Sequence, residues 1–205
     1  MSANTVPAES LRDRKRRQTR DRIIEAAFAL FVKRGFDEVT VDEIAHRAEI
    51  GRTTFFRYFG DKQEVVFSQE RDFLRALADP GHDATIEPLK DFPQAVSASR
   101  RLVVALCAEA ARHPDHHAVY YRLVDRHTEL KDRHARKIRH YADLLETQLI
   151  LHGTPRPFAV LAAQIALGCY QTAWRLAGND ADALLREVAT AFDTLLSNTD
   201  PDPHC

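Results

Sequence analysis

Between Gly35 and Lys62 the sequence closes one helix, fits in two short ones and opens a fourth. Ile23, Ala27, Leu30 and Phe31 repeat at helical spacing, and Gly35 can end that helix in a left-handed turn. Thr40-Val41-Asp42-Glu43 then has the form of a capping box, a Thr N-cap with Glu three residues on. Val41, Ile44, Ala45 and Ala48 share one face of the short helix that follows. Glu49-Ile50-Gly51 reads as a tight turn. Arg52 to Phe59 reads as another short helix, with Phe55 and Phe59 four apart and Gly60 at its end. Asp61-Lys62-Gln63-Glu64 repeats the cap. Three short helices with a turn of about three residues between the last two have the helix-turn-helix layout, and Ile44, Ala45, Ile50 and Phe55 can fix the steep crossing.

The rest of the chain predicts longer helices and no strands, so the fold class is all-α: an N-terminal helix-turn-helix domain followed by a C-terminal helical bundle. Helices are expected over 61–78, 93–113, 115–126, 130–151, 158–177 and 181–197, with a loop over 79–92, a break over 153–157 and a tail from Asn198. The domains are expected at 1–19 (a flexible basic N-terminal arm), 20–62 (helix-turn-helix), 63–200 (ligand binding and dimerisation) and 201–205 (tail). A chain of 205 residues, 44% hydrophobic and 29% charged, is too apolar for global disorder. It has no apolar run of membrane-spanning length, and Met1 to Arg20 has no apolar signal core. Cys107, Cys169 and Cys205 are far apart and form no CxxC pair, which points to a reducing cytoplasm and to neither a disulfide framework nor a zinc knuckle.

Charge is uneven. Residues 1–62 carry 13 Lys+Arg against 10 Asp+Glu, and Arg12 to Arg20 holds six basic residues and one acid. Such a run suits phosphates or a narrow minor groove, and equally a solvated tail. If Phe55 and Phe59 point inward, Arg52, Thr53, Phe56 and Arg57 face outward. An exposed Phe beside Arg and Thr suits a major groove: Arg can read guanine bidentately, and Phe or a Thr methyl can meet a thymine methyl. Thr40, Thr54, Tyr58 and Lys62 lie at helix starts and edges, where hydroxyls and Lys meet phosphates.

These residues in this order resemble the TetR family of one-component transcriptional regulators. The matching positions are Ile23-Ile24, Ala27, Phe31, Gly35-Phe36, Thr40, Ile44-Ala45, Ala48, Ile50, Arg52, Thr54 to Phe59 and Lys62. The resemblance is close from Ile23 to Val66. Beyond it, only the number and length of the helices match. Two positions depart from the family pattern. Glu49 stands where Gly is usual in the turn, and a non-Gly residue with positive φ there carries strain of about 1 kcal/mol or more. Phe56 stands where Tyr is usual, so one phosphate-binding hydroxyl is missing. The resemblance implies a homodimer through the helices near 158–177 and 181–197. It also implies a repressor released from a palindromic double-stranded DNA operator by a small-molecule effector.

The C-terminal helices are expected to enclose that effector among Phe73, Arg101, Cys107, Tyr120, Tyr121, His134, Tyr141, Gln171 and Trp174, an apolar set with a few polar groups. Gln171 and Arg175 beside Trp174 suggest a ligand with one polar end. His113, His116 and His117 are interrupted by Pro114 and joined by no carboxylate cluster, so no metal is expected, and no cofactor. No catalytic signature appears, so the chain is not expected to be an enzyme. Two other readings keep the same fold: an effector-independent activator, and a helical ligand-binding or scaffold protein that no longer binds DNA.

Overall fold

The computed structural model describes residues 10–68 and 89–197, which hold nine α-helices and no strand. Of the helix expected over 61–78, the described part ends at Val66, with its C-cap at Phe67; Phe73, most of the 79–92 loop, residues 1–9 and the C-terminal tail lie outside the described residues. The chain divides into two compact units, Met1–Ser68 and Gln69–Cys205.

The first unit contains α1 (Leu11–Arg34), α2 (Val41–Arg47), α3 (Arg52–Tyr58) and α4 (Lys62–Val66). The basic stretch from Arg12 to Arg20 is not a free arm, because it forms the first turns of α1. Ser10 caps that helix by accepting from Asp13 N at 3.1 Å, and Asp13 suits the positive end of the helix dipole. Arg, Lys and Gln are good helix formers, and extending an anchored helix costs far less than nucleating one. The run lacks apolar periodicity because Arg12 to Gln18 are exposed, while Arg20 at its end is half-buried, donating to Ser68 O and standing 5.5 Å from the Phe59 ring centroid. The anchor is the second half of α1, where Ile23, Ala27, Phe28 and Phe31 are buried. The first unit extends past the expected 62/63 boundary, since Val65, Val66 and Phe67 are buried and fall within it.

The second unit contains α5 (Phe92–Arg112), α6 (Pro114–Arg126), α7 (Thr128–Leu151), α8 (Arg156–Ala177) and α9 (Ala181–Ser197). Pro93 and Pro114 sit in the first turns of α5 and α6, where a missing N–H costs nothing. Asp91 and Asp180 cap α5 and α9. Helix α8 packs against α5, α7 and α9. Its Ala159, Ala162, Ala163, Ala166 and Ala173 are buried, and such small side chains let neighbouring helices come close. Among the described residues no helix is long and apolar enough to cross a membrane.

Candidate nucleic-acid interface and effector chamber

The geometry of α2 and α3 follows from their ends. The Thr40 side chain accepts from Glu43 N while Glu43 Oε2 accepts from Thr40 N at 2.8 Å, completing the expected capping box. Arg34 from α1 pairs with the same carboxylate. The Arg34 hydrogen bond, followed by those from Thr40, pulls the Glu43 pKa down to about 2. At the other end of α2, Glu49 N donates to His46 O at 3.1 Å and Ile50 N to Ala45 O at 3.0 Å. This is a Schellman closure, and its left-handed position is Glu49, with φ 55°. The closure turns the chain into α3. There Phe55 is fully buried and Phe59 nearly so, their ring centroids 6.0 Å apart. Burying Phe55 contributes about 2–3 kcal/mol and orients the rest of the helix.

With Phe55 inward, Arg52, Thr53, Phe56 and Arg57 are exposed on one short helix. Thr54 and Tyr58 are half-buried at its edges. The Arg52 guanidinium carbon stands 5.5 Å from the Phe56 ring centroid, and that of Arg57 5.7 Å from Tyr58. Arg52 Nη1 also donates to both carboxylate oxygens of Asp42, at 3.0 and 2.7 Å. Spacing along the sequence gave no sign of Asp42, because it meets Arg52 only once the turn has folded.

Lys62 behaves differently from expectation. Its Nζ donates to the carbonyls of Phe36 at 2.8 Å, Asp37 at 3.2 Å and Val39 at 3.0 Å, and lies 4.5 Å from the Phe36 ring centroid. An ammonium has three donors, and all three are used. Lys62 therefore ties the loop between α1 and α2 to the start of α4.

In the second unit Trp174 is the centre of an aromatic cluster. Ring centroids lie 4.6 Å away for His134, 5.0 Å for Tyr121, 5.5 Å for Tyr120, 5.8 Å for His117 and 6.2 Å for Tyr170. The Tyr120 hydroxyl is 2.5 Å from His134 Nδ1. Burial pushes the His134 pKa down to about 4 and lowers that of His117, so both rings are neutral. Nε2 of His117 is buried without a hydrogen-bond partner. Burial also pushes the Cys107 thiol up to about 12 and Cys169 up to about 11, leaving two inert, uncrosslinked thiols. Tyr170 and His117 complete a cluster that sequence reasoning had only partly assembled, since Tyr170 falls one turn before Trp174 on the same helix.

Three expectations for the second unit change. Arg101 and Gln171 are exposed, as is Arg175, so the polar groups within the cluster are those of its own rings, the imidazoles of His117 and His134 and the hydroxyls of Tyr120, Tyr121 and Tyr170. Tyr141 is half-buried about two turns along α7 from His134, with His140 as a ring neighbour at 6.5 Å. Within the helices expected to form the dimer interface, Leu184 and Val188 are 2% and 0% exposed and belong to the core of the subunit, as do Ala162, Ala163, Ala166 and Ala173. The apolar groups left on the surface of the last two helices are Phe158, Val160, Leu161 and Leu176 of α8 and Leu195 of α9. Among the described residues no group of three His, Cys, Asp or Glu side chains could hold a metal ion.

A family profile described as bacterial regulatory proteins, tetR family, matches residues 23–68. The chain is 36% identical over 106 residues to the HTH-type transcriptional regulator TcmR of Streptomyces glaucescens, covering 49% of this chain and 44% of that protein. It thus spans under half the length of this curated relative. Among solved structures, the SmeT–triclosan complex superposes with a TM-score of 0.60 at 19% identity, covering 89% of this chain and 93% of SmeT. FadR of Thermus thermophilus, a TetR-family transcriptional repressor in complex with lauroyl-CoA, superposes with a TM-score of 0.51 at 24% identity, covering 91% and 100%. These likenesses extend the shared fold over both units.

Proposed function

The chain belongs to the TetR family of bacterial regulatory proteins, and on that premise we propose that it is a sequence-specific DNA-binding transcriptional regulator. It works as a repressor, leaving a palindromic operator when a small molecule occupies the second unit. The observation that carries this reading is the outward row of Arg52, Thr53, Phe56 and Arg57 on a helix anchored by buried Phe55. Helix α3 enters the major groove, where these side chains meet base edges. Thr40, Thr54 and Tyr58 meet the flanking phosphates.

One such helix covers few base pairs, so two copies share the site. The homodimer forms through α8 and α9, with Leu161, Leu176 and Leu195 as its exposed apolar contacts. The effector has an apolar body that stacks on Trp174 and one polar group that meets His134 or Tyr120. Ligand complexes of the two structural neighbours support a small-molecule site in this fold. Selection of bound duplexes from a random-sequence pool tests the DNA reading. An inverted repeat whose affinity falls steeply with salt is expected. Recovery of no preferred sequence overturns it.

A further inference from the structure

The Asp42–Arg52 pair bridges the first turns of α2 and α3, across the turn that separates them. Both side chains are more than 60% exposed, so the pair contributes little to folding. Its geometry is nonetheless defined on two sides. The carboxylate takes Nη1 with both oxygens, and the guanidinium carbon stands 5.5 Å from the Phe56 centroid. Among the described residues Nε and Nη2 of Arg52 have no acceptor. Those two nitrogens form one edge of the guanidinium fork, with parallel N–H donors at the spacing of guanine O6 and N7.

We propose that Asp42 is a positioning residue for Arg52: it holds Nη1 so that the Nε–Nη2 edge is presented to a single guanine. The inference rests on the DNA-binding reading above. A free arginine side chain loses rotamer freedom when it docks on a base, and a side chain already held by a carboxylate and a ring loses less. The same carboxylate adds a negative charge beside the phosphate backbone, which weakens binding to every sequence. Asp42 thereby exchanges general affinity for discrimination. A neutral residue there binds random DNA more tightly and reads its guanine less well.

The test uses the full chain as wild type, Asp42→Ala, Asp42→Asn and Arg52→Ala. Duplexes are selected from a random pool with the wild type, and the guanine whose preference disappears in Arg52→Ala is identified. Each protein is then titrated against the selected duplex, a version with that guanine replaced by adenine, and a random duplex. Asp42→Ala is expected to reduce the guanine preference about tenfold and to tighten random binding a few-fold. Asp42→Asn keeps an acceptor oxygen but not the charge, so it tightens random binding equally and keeps part of the preference. A guanine preference in Asp42→Ala within about twofold of wild type overturns the inference, because the pair is then only a surface contact. Unchanged preferences in Arg52→Ala overturn it as well, while leaving DNA binding intact. Failure of the wild type to select any sequence removes the DNA-binding reading itself, and the inference with it. Unchanged circular dichroism in the variants excludes a folding defect.

Discussion

The phenol oxygen of Tyr120 lies 2.5 Å from Nδ1 of His134, and the Trp174 ring stands 4.6 Å from the same imidazole, centroid to centroid. Burial holds that imidazole neutral, with its pKa near 4, whereas in an unfolded chain it titrates near 6.5. The unfolded chain therefore takes up the proton first as pH falls. Stability is complete above about 6.5, declines between 6.5 and 4, and is fully reduced below that range, by on the order of 3 kcal/mol. His117, also lowered by burial, adds in the same direction. Trp174 is the only tryptophan, so its emission reports the second unit alone. The urea midpoint read from it is expected to fall between about pH 7.5 and 4.5, and His134→Gln to flatten the fall. An unchanged slope in that variant means His134 is not the responsible group. Glu43, in the first unit, acts in a lower window. Its depressed pKa gives stability that is present above 4.5 and lost as pH falls toward 2.

Glu49 sits at φ 55° in the turn between α2 and α3, a conformation that glycine adopts without a Cβ clash. Glu49→Gly removes the clash but adds freedom to the unfolded chain, and the clash is the larger effect at a fixed left-handed position. The expected gain is about 0.5–1 kcal/mol, or several degrees in the Tm of the first unit by circular dichroism. Glu49→Ala keeps the clash and is expected to gain nothing. A lower Tm for Glu49→Gly shows that this backbone is not strained.

The turn, the caps and the outward face of α3 were legible in the sequence because each depends on residues at most four apart. The Thr40–Glu43 box, the positive φ at Glu49 and the burial of Phe55 are of that kind. The roles of Lys62 and Asp42 were not legible. Lys62 reaches carbonyls 23 to 26 positions away and Asp42 a guanidinium 10 positions away, and backbone acceptors leave no trace in residue identity. Helical periodicity located α8 and α9 but did not decide which of their two apolar faces turns inward. The alanine face of α8 and Leu184 of α9 turned out to be core, with Leu161, Leu176 and Leu195 outside. The basic start of α1 was missed for the opposite reason: an exposed charged helix has no apolar stripe to count.

Lys62→Ala leaves the carbonyls of Phe36, Asp37 and Val39 without their shared donor. Those near Phe36 and Val39 are partly buried, and each unmade bond to a charged group costs about 1–3 kcal/mol before water enters. A marked loss of stability in the first unit is expected, with the salt slope of DNA binding unchanged. A slope lowered by about one at unchanged Tm returns Lys62 to the phosphate-binding role the sequence suggested.

Leu161 and Leu184 should respond differently to substitution. Leu161 is 50% exposed on α8, so Leu161→Glu is expected to leave the subunit folded and to separate the dimer. Leu184 is 2% exposed, and Leu184→Ala removes core packing worth about 2–5 kcal/mol. Light scattering over a dilution series gives the mass, and urea unfolding gives the stability. A dimer undisturbed by Leu161→Glu and Leu176→Glu together places the interface elsewhere.

A ligand that stacks on Trp174 must displace or join rings already in contact with it, from Tyr120, Tyr121 and His134. Its binding therefore changes tryptophan emission directly. If occupancy of this cluster is what releases the operator, emission change and loss of DNA affinity follow one concentration dependence. Linkage also requires that operator DNA weaken the ligand by the same factor. The probe is a panel of aromatic compounds carrying one hydroxyl or carboxylate, screened by emission and then titrated with and without the selected duplex. Tyr120→Phe removes the hydroxyl but keeps the ring, so it is expected to weaken such ligands roughly five- to tenfold, the scale of one lost hydrogen bond. Equal ligand affinity with and without DNA excludes coupling through this cluster, even if both molecules bind.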